Sequence, residues 1–420
     1  MVELLAPAGD FKSLNAALNS GADAVYLGLS KWNMRSTSKN FSMENIEEAI
    51  KIAHDYDSKI YLTTNTILKD EDIEKIAKLL PKLNDYDLDA LIISDLGLID
   101  SVNENSLDIH ISIQENITNS YTLNILKKLG VKRAILSREL SLSDIKEIAK
   151  KSPIETEIFI HGAMCMAISG RCFLSSYFHK KSANCGECLQ PCRYDWNFSK
   201  LDIDSNENLT NNMHKFDGFE FNEFILEKSV DETYKSHFLS PYDLSMIEHI
   251  PELMKSKVDS FKIEGRRRSA DYVSIVTETY REAIDNYMSF GKNSYKFNEK
   301  WDENLKKVFN RGYDTGFYFN SPFKTSNNNK SKYFKKDIGI VVNYYSKISV
   351  AEIKLFDDLV IGDEIIIQGN TTGSFNQILN SMKVNGKPVK IAKKGMNVTI
   401  KIDNFVRKND NIYKLIKKNI

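Results

Sequence analysis

The chain has 420 residues, 42% of them hydrophobic, and its 57 basic and 57 acidic side chains balance to a formal net charge of +0. That length buries one large core and leaves room for a smaller second domain. The start lacks a basic leader, its apolar stretch is cut by Pro7 and Gly9, and no run of about 18 apolar residues occurs, so a cytoplasmic chain with no membrane partner is expected.

Short β-branched runs alternate with stretches at helical spacing, the pattern of repeated βα units around a parallel sheet. In chain order the predicted strands are Glu3–Ala6, Ala24–Leu27, Ile60–Thr63, Ala90–Ile93, Ile109–Ile113, Ala134–Leu136, Glu155–Ile160 and Ser260–Ile263. Eight strands favour a closed barrel over an open sheet. Helices are predicted over Phe11–Ser20, Met43–Tyr56, Glu71–Leu83, Ser120–Leu129 and Ser143–Lys151, the last with a cap in Ser141-Leu142-Ser143-Asp144. A further helix is expected over Asp243–Lys255 and a closing one over Ala270–Tyr287.

The seventh strand is followed by about 80 residues before that next helix, and a long interval inside a barrel is usually functional. Its first half holds every cysteine of the chain, and its second half, near Asp202–Asp231, is acidic and Asn-rich and reads as irregular. After the linker-like Ser321–Lys330 come short runs at Ile338–Val342, Ile348–Ile353, Glu364–Gln368, Asn397–Ile402 and Asn411–Leu415, with an Asn385-Gly386 turn. The expected α/β organisation is thus an eight-stranded TIM-like β/α barrel over 1–320 with a Cys-rich insertion at about 161–238. A linker over 321–334 and a small C-terminal β-barrel over 335–420 complete it. From Lys330 onward 17 basic residues face 8 acidic ones, which leaves 40 against 49 before it, so the balanced total hides a basic appendage suited to a polyanion. A lysine-rich solvated surface is the bland alternative.

All five cysteines lie between Cys165 and Cys192, and Cys165, Cys172, Cys188 and Cys192 form Cys-x6-Cys-x15-Cys-x3-Cys around an extra Cys185. Clustered thiolates in a cytoplasmic chain suit zinc or an iron–sulfur centre, and the wide first spacing fits a cluster better than paired zinc knuckles. A reactive cysteine would need a base, for which His161 and His179 are available.

Barrel chemistry sits at the C-terminal ends of the strands. The residues leaving the predicted strands are polar: Tyr26 before Gly28, Asn65, Ser94-Asp95, Ser112 with Gln114, Arg138-Glu139, His161-Gly162 and Glu264-Gly265-Arg266. They could surround a small anionic substrate, with Arg138 and Arg266 as fork-shaped partners for carboxylate or phosphate. Lys262 and Glu264 share one side of the eighth strand and can both point inward, as a buried ion pair or as catalytic groups. His110 on the fifth strand reads as a core histidine.

Glu157-Ile158-Phe159-Ile160-His161-Gly162-Ala163-Met164-Cys165 followed by Ser169-Gly170-Arg171-Cys172-Phe173-Leu174-Ser175 closely resembles the signature of peptidase family U32. The opening Leu4–Gly9, Gly21–Gly28, Phe261–Arg266 and Asn310-Arg311-Gly312-Tyr313 match it too, so the resemblance spans nearly the whole barrel. It implies either collagenase-like proteolysis or, in branches with a C-terminal β-barrel, oxygen-independent hydroxylation of tRNA. In the second case Cys165, Cys172, Cys188 and Cys192 would hold a 4Fe–4S cluster, and 5-hydroxyuridine would form at the wobble position with prephenate required and an electron donor as partner. Other branches imply ribosomal RNA or a quinone precursor as substrate. Catalytic roles are expected for Arg138, His161, Lys262, Glu264 and Arg266, and substrate contacts for Tyr26, Asn65 and Gln114. Leu96, where the pattern usually has Pro, and Ile113 with Glu115 depart from the family pattern.

Overall fold

A parallel sheet covered on both faces needs strands that are apolar on both sides, and Ala90–Ile93, buried at every position, is such a strand. In a computed structural model the protein is described over residues 2–199, 227–228, 233–237, 239–319, 324–326 and 329–418. The barrel strands are β1 (Glu3–Pro7), β2 (Ala24–Gly28), β3 (Lys59–Thr64), β4 (Ala90–Ile93), β5 (Asp108–Ile111), β6 (Arg133–Ile135), β7 (Glu155–Gly162) and β8 (Ser260–Ile263). Each pairs in parallel with the next, and β8 pairs with both β7 and β1, so the sheet closes. All eight predicted strands are present, with bounds shifted by a residue or two.

Helices Phe11–Asn19, Ile46–His54, Ser120–Lys128 and Leu142–Lys151 lie between the strands. Ser141 caps the last, accepting from the Asp144 amide at 3.2 Å while Asp144 accepts from the Ser141 amide. The single helix expected over 71–83 is instead two, Asp70–Ala77 and Leu80–Asp85, because Pro81 has no amide to continue the ladder and is tolerated only in a first turn. The helix expected from Asp243 is also corrected. Asp243–Ser245 is a strand that pairs antiparallel with the end of β7, and the helical part is confined to Ile247–His249 and Ile250–Met254. The closing helix runs Ala270–Ser294, past the expected end, with a break in helical geometry at Gly291.

Most of the acidic segment near 202–231 lies outside the described residues, as do 320–323 and 327–328 of the expected linker. From Tyr333 onward the chain forms an eight-stranded antiparallel sheet and a two-stranded one around a separate core that includes Ile338, Ile353, Ile367 and Ile400. This domain sits against the outside of the barrel. The Asn15 and Asn19 side-chain amides donate to the carbonyls of Asn370 and Thr372 at 3.0 and 3.1 Å, and Lys335 pairs with Asp271 at 2.7 Å.

The barrel axis is charged. Near its N-terminal end Glu3 accepts from Tyr61 at 2.6 Å, from Ser260 at 3.0 Å and from Arg133. Arg133 also reaches Glu157 at 3.3 Å, and Glu157, fully buried, accepts from Lys262 at 2.8 Å. His110 stacks edge-on against Tyr61 with ring centres 4.6 Å apart, and burial pushes its imidazole well below the ordinary range, the neutral core role expected of it. Removing one partner of a buried ion pair strands the other. Lys262→Met is therefore expected to lower stability by roughly 3–5 kcal/mol in urea unfolding, and a Glu157→Leu, Lys262→Met double variant to recover part of that loss.

Candidate active site at the barrel mouth

Above the Glu157–Lys262 pair a void of about 40 Å³ opens, lined by Tyr26, Arg35, Asn65, Gln114, Lys262, Glu264 and Arg266 among others. Six of the expected site residues therefore meet at one point. Tyr26 forms the floor: its hydroxyl donates to the Ile263 carbonyl at 3.0 Å, and the Lys262 ammonium lies 4.4 Å from the centre of its ring. Burial pulls the Lys262 amine down, while Glu157 opposes the shift.

Glu264 is the central carboxylate. Arg35 donates to one of its oxygens at 3.1 Å, and Arg138 stands 3.9 Å from the other. Burial pushes the carboxyl up, but the two guanidiniums outweigh it and hold Glu264 below its ordinary value, so it is ionised at neutral pH. Arg138 also lies over the Phe159 ring at 3.9 Å and donates to the Ala163 carbonyl at 2.7 Å. Among the described residues Arg266 hydrogen-bonds neutral partners, Thr63 and Asn33 at 2.9 Å each and Asn40, and burial pulls it down to about 10. It can enter the barrel because β2 ends in Gly28: a Cβ there would lie 2.4 Å from the Arg266 guanidinium. The site carries Arg35, Arg138, Arg266 and Lys262 against Glu157 and Glu264, four cations to two carboxylates. That excess favours a small anion.

Two results differ from what the strand pattern suggests. His161 is not brought to the mouth. The register between β7 and β8 shifts so that Phe159 stands opposite Lys262 and His161 opposite Ile263, which turns the imidazole to the outer face of the wall. There it is enclosed by Tyr272, Tyr280 and Tyr313, its Nδ1 lies 3.4 Å from the Tyr280 hydroxyl, and burial lowers it to about 3. Conversely, Arg35, Asn33 and Asn40 belong to the loop after β2 and carry no strand periodicity, so sequence reasoning missed them. The only signal was the concentration of polar residues after Gly28.

The Cys-rich segment lies across the mouth. Its Leu174–His179 helix and its turns Ala183–Cys185 and Pro191–Arg193 carry or flank the thiols. The Cys172 amide donates to Asn184 at 3.1 Å, and the Asn184 carbonyl accepts from the Ile67 amide at 3.2 Å, which ties the segment to the exit of β3. Arg267, just beyond β8, donates to the Cys188 carbonyl at 3.0 Å. Burial pushes the Cys188 and Cys192 thiols up, and Cys165 and Cys172 lie near enough to add to the effect. Arg35, the partner of Glu264, is also influenced by Cys165, so the thiols and the charged void adjoin. Cys185 is exposed. Among the described residues no three thiol, imidazole or carboxylate groups converge as a single-ion site.

A larger cavity of about 550 Å³ lies beside the void and shares Asn65 and Gln114 with it, Asn65 donating to Gln114 at 3.1 Å. Gly170 of the Cys-rich segment rests on Gln114, where a Cβ would come within 2.5 Å of its side chain.

Residues 9–328 match the model of peptidase family U32. The chain belongs to that family. Among curated U32 relatives, an uncharacterized protease of Methanocaldococcus jannaschii is 48% identical, covering 100% of this chain and 99% of its own. A collagenase of Porphyromonas gingivalis is 34% identical over 99% of this chain and 98% of its own. The tRNA hydroxylation protein P1 of Bacillus subtilis is 32% identical over 97% and 94%. Among the described residues of this U32 protein no helix is long and apolar enough to cross a membrane.

His161 sets a pH dependence. Its folded pKa of about 3 lies below the ordinary value of 6.5, so the unfolded chain binds the extra proton between those values and stability falls as pH drops through that window. His161→Phe is expected to flatten the decline of the urea midpoint between neutral pH and pH 4, a slope of at most about 1.4 kcal/mol per pH unit from this group.

Proposed function

We propose that the protein is an RNA-modifying hydroxylase that acts on tRNA, forming 5-hydroxyuridine at the wobble position by an iron–sulfur-dependent, oxygen-independent and prephenate-dependent route. The observation that carries this reading is the ionised Glu264 between Arg35 and Arg138, beside four mutually close thiols. The excess of cations in the void favours the carboxylate end of a small metabolite such as prephenate, against Arg35 and Arg138. A cysteine or serine peptidase would need a thiol or hydroxyl paired with a base. Among the described residues no hydrogen bond joins a cysteine, serine or threonine side chain to an imidazole, and His161 faces away. The collagenase reading, supported by relatives named collagenase and uncharacterized protease, is the alternative.

The wide first interval of Cys-x6-Cys-x15-Cys-x3-Cys, unlike paired zinc knuckles, favours a multi-metal cluster over zinc. A single zinc ion draws four ligands to one centre, whereas an iron–sulfur cluster takes each thiolate on a different iron. The Cys188 and Cys192 thiols are each influenced by Cys165 and Cys172, which supports one group shared by the four. Cys165, Cys172, Cys188 and Cys192 would hold a 4Fe–4S cluster, which supplies one-electron chemistry and draws on a separate electron donor. The chain's own residues do the rest: Arg35 orients Glu264, Tyr26 and Lys262 close the floor, and Gly170 fixes Gln114. Lysines of the C-terminal domain would add phosphate contacts that position tRNA without reading its sequence.

Protein purified without oxygen is expected to contain iron and acid-labile sulfide, both lost in a Cys165→Ala, Cys172→Ala double variant. Zinc, or no metal, would remove the hydroxylase mechanism. Arg138→Met is expected to retain the iron but to cut formation of hydroxylated nucleoside in tRNA by roughly 100-fold or more, on the scale of losing one charge-stabilising donor. Weaker tRNA binding at higher salt should accompany this.

A further inference from the structure

The 550 Å³ cavity beside the charged void has a different chemistry from it. Its polar lining is mostly neutral, with the amides of Asn65, Gln114 and Asn184 and the hydroxyls of Thr66 and Ser94. Its charged groups are Asp95 and Glu115 against the single cation Arg171. Two carboxylates against one cation disfavour a phosphate or carboxylate there, whereas a neutral heterocycle can accept from the amino groups of Gln114 and Asn184 and meet the Thr66 and Ser94 hydroxyls, Asn65 being spent on Ser112, Gln114 and the Met34 amide. At the rim stands Phe173, 76% exposed, with Tyr177, 83% exposed, one helical turn further along. Two large rings left in water beside a cavity mark a surface built for a flat, apolar face.

We propose that this cavity is the pocket for a single base extruded from an RNA loop, with Phe173 as the ring on which that base stacks. The proposal rests on the RNA reading given above and adds to it where the base goes and what holds it. Asn65 and Gln114 form the wall shared by both chambers, so a base edge at that wall lies next to the Glu264–arginine group while its phosphates remain outside. The neutral chamber takes the base, and the cationic void of about 40 Å³ takes no more than the carboxylate end of an anion.

The test uses protein purified without oxygen and a short RNA hairpin carrying 2-aminopurine at one loop position at a time, compared with a fully paired duplex of equal length. Wild type and Phe173→Tyr should change the probe's emission at one loop position. Phe173→Ala should abolish that change and weaken hairpin binding about tenfold, within the range for one stacked base, while leaving duplex binding as it was. Phe173 is exposed, so this variant tests stacking rather than folding. If hairpin and duplex bind with salt-sensitive affinity and Phe173→Ala changes neither, the pocket is overturned and the RNA reading stands. If wild type binds neither RNA, both fall. If a gelatin-derived peptide displaces the hairpin from wild type but not from Phe173→Ala, the cavity is a peptide site and the proposal is wrong.

Discussion

Charges inside a closed barrel can be afforded only if they offset one another, and Glu157 is where that constraint is tightest. Fully buried, it answers to Arg133 below and Lys262 above. Arg133 in turn needs Glu3 and Glu155, and Lys262 rests over Tyr26. Each strand that contributes a charge is thereby held in register with strands on other sides of the barrel, since a slip of one residue would turn a charge into the apolar layer under the helices. The column alternates in sign from Glu3 to Lys262, and only at the mouth does it end in an excess of cations. The excess is thus local, and it lies where a ligand can arrive from solvent.

That excess has a structural cost that other residues absorb. Arg266 is buried with no carboxylate partner, satisfied by Thr63, Asn33 and Asn40, and the Nε atoms of Arg266 and Arg138 have no hydrogen-bond partner. Buried donors without partners are uncommon, though the Nε atoms of Arg193 and Arg281, outside the void, share that state among the described residues. Gly28 and Gly170 serve the same arrangement from opposite sides. The first leaves room for Arg266, and the second lets the Cys-rich segment press on Gln114.

The barrel was legible in the sequence because its helices and strands differ in period, and strands such as Ala90–Ile93 have no competing reading. That Lys262 and Glu264 both point inward followed from strand alternation alone, but the ion pair between them that the sequence allowed does not form: Lys262 bonds Glu157 and Glu264 bonds Arg35. The same alternation failed for His161, because it assumes an unbroken register and β7 shifts by one residue against β8 just before it. No local feature of Ile160-His161-Gly162 announces that shift. Arg35 was invisible for another reason: loop residues have no period, so only the folded chain brings the segment after β2 over Glu264. The strand Asp243–Ser245 was read as helix because its capture by the end of β7 is a long-range contact. The separation of the C-terminal domain was legible in its strand spacing and basic balance, whereas its attachment to the outer helices through Asn15, Asn19 and Asp271 was not.

The site's geometry also bears on how two names as different as collagenase and tRNA hydroxylation protein can attach to relatives of one chain. A peptidase site and a base pocket both ask for a cavity at the barrel mouth, an exposed aromatic rim and polar groups that read an amide or imide edge. They part company over what lies beneath. Peptide cleavage calls for a nucleophile and a proton acceptor; the inner chamber has hydroxyls at Thr63 and Ser112 and thiols beside it, but its Glu264 is locked between two guanidiniums and its Lys262 amine is committed to Glu157. A carboxylate held that firmly is a poor base, since the cations that keep it ionised also oppose taking a proton. What it does is fix Arg35 and Arg138 at the mouth, next to the segment that carries the thiols.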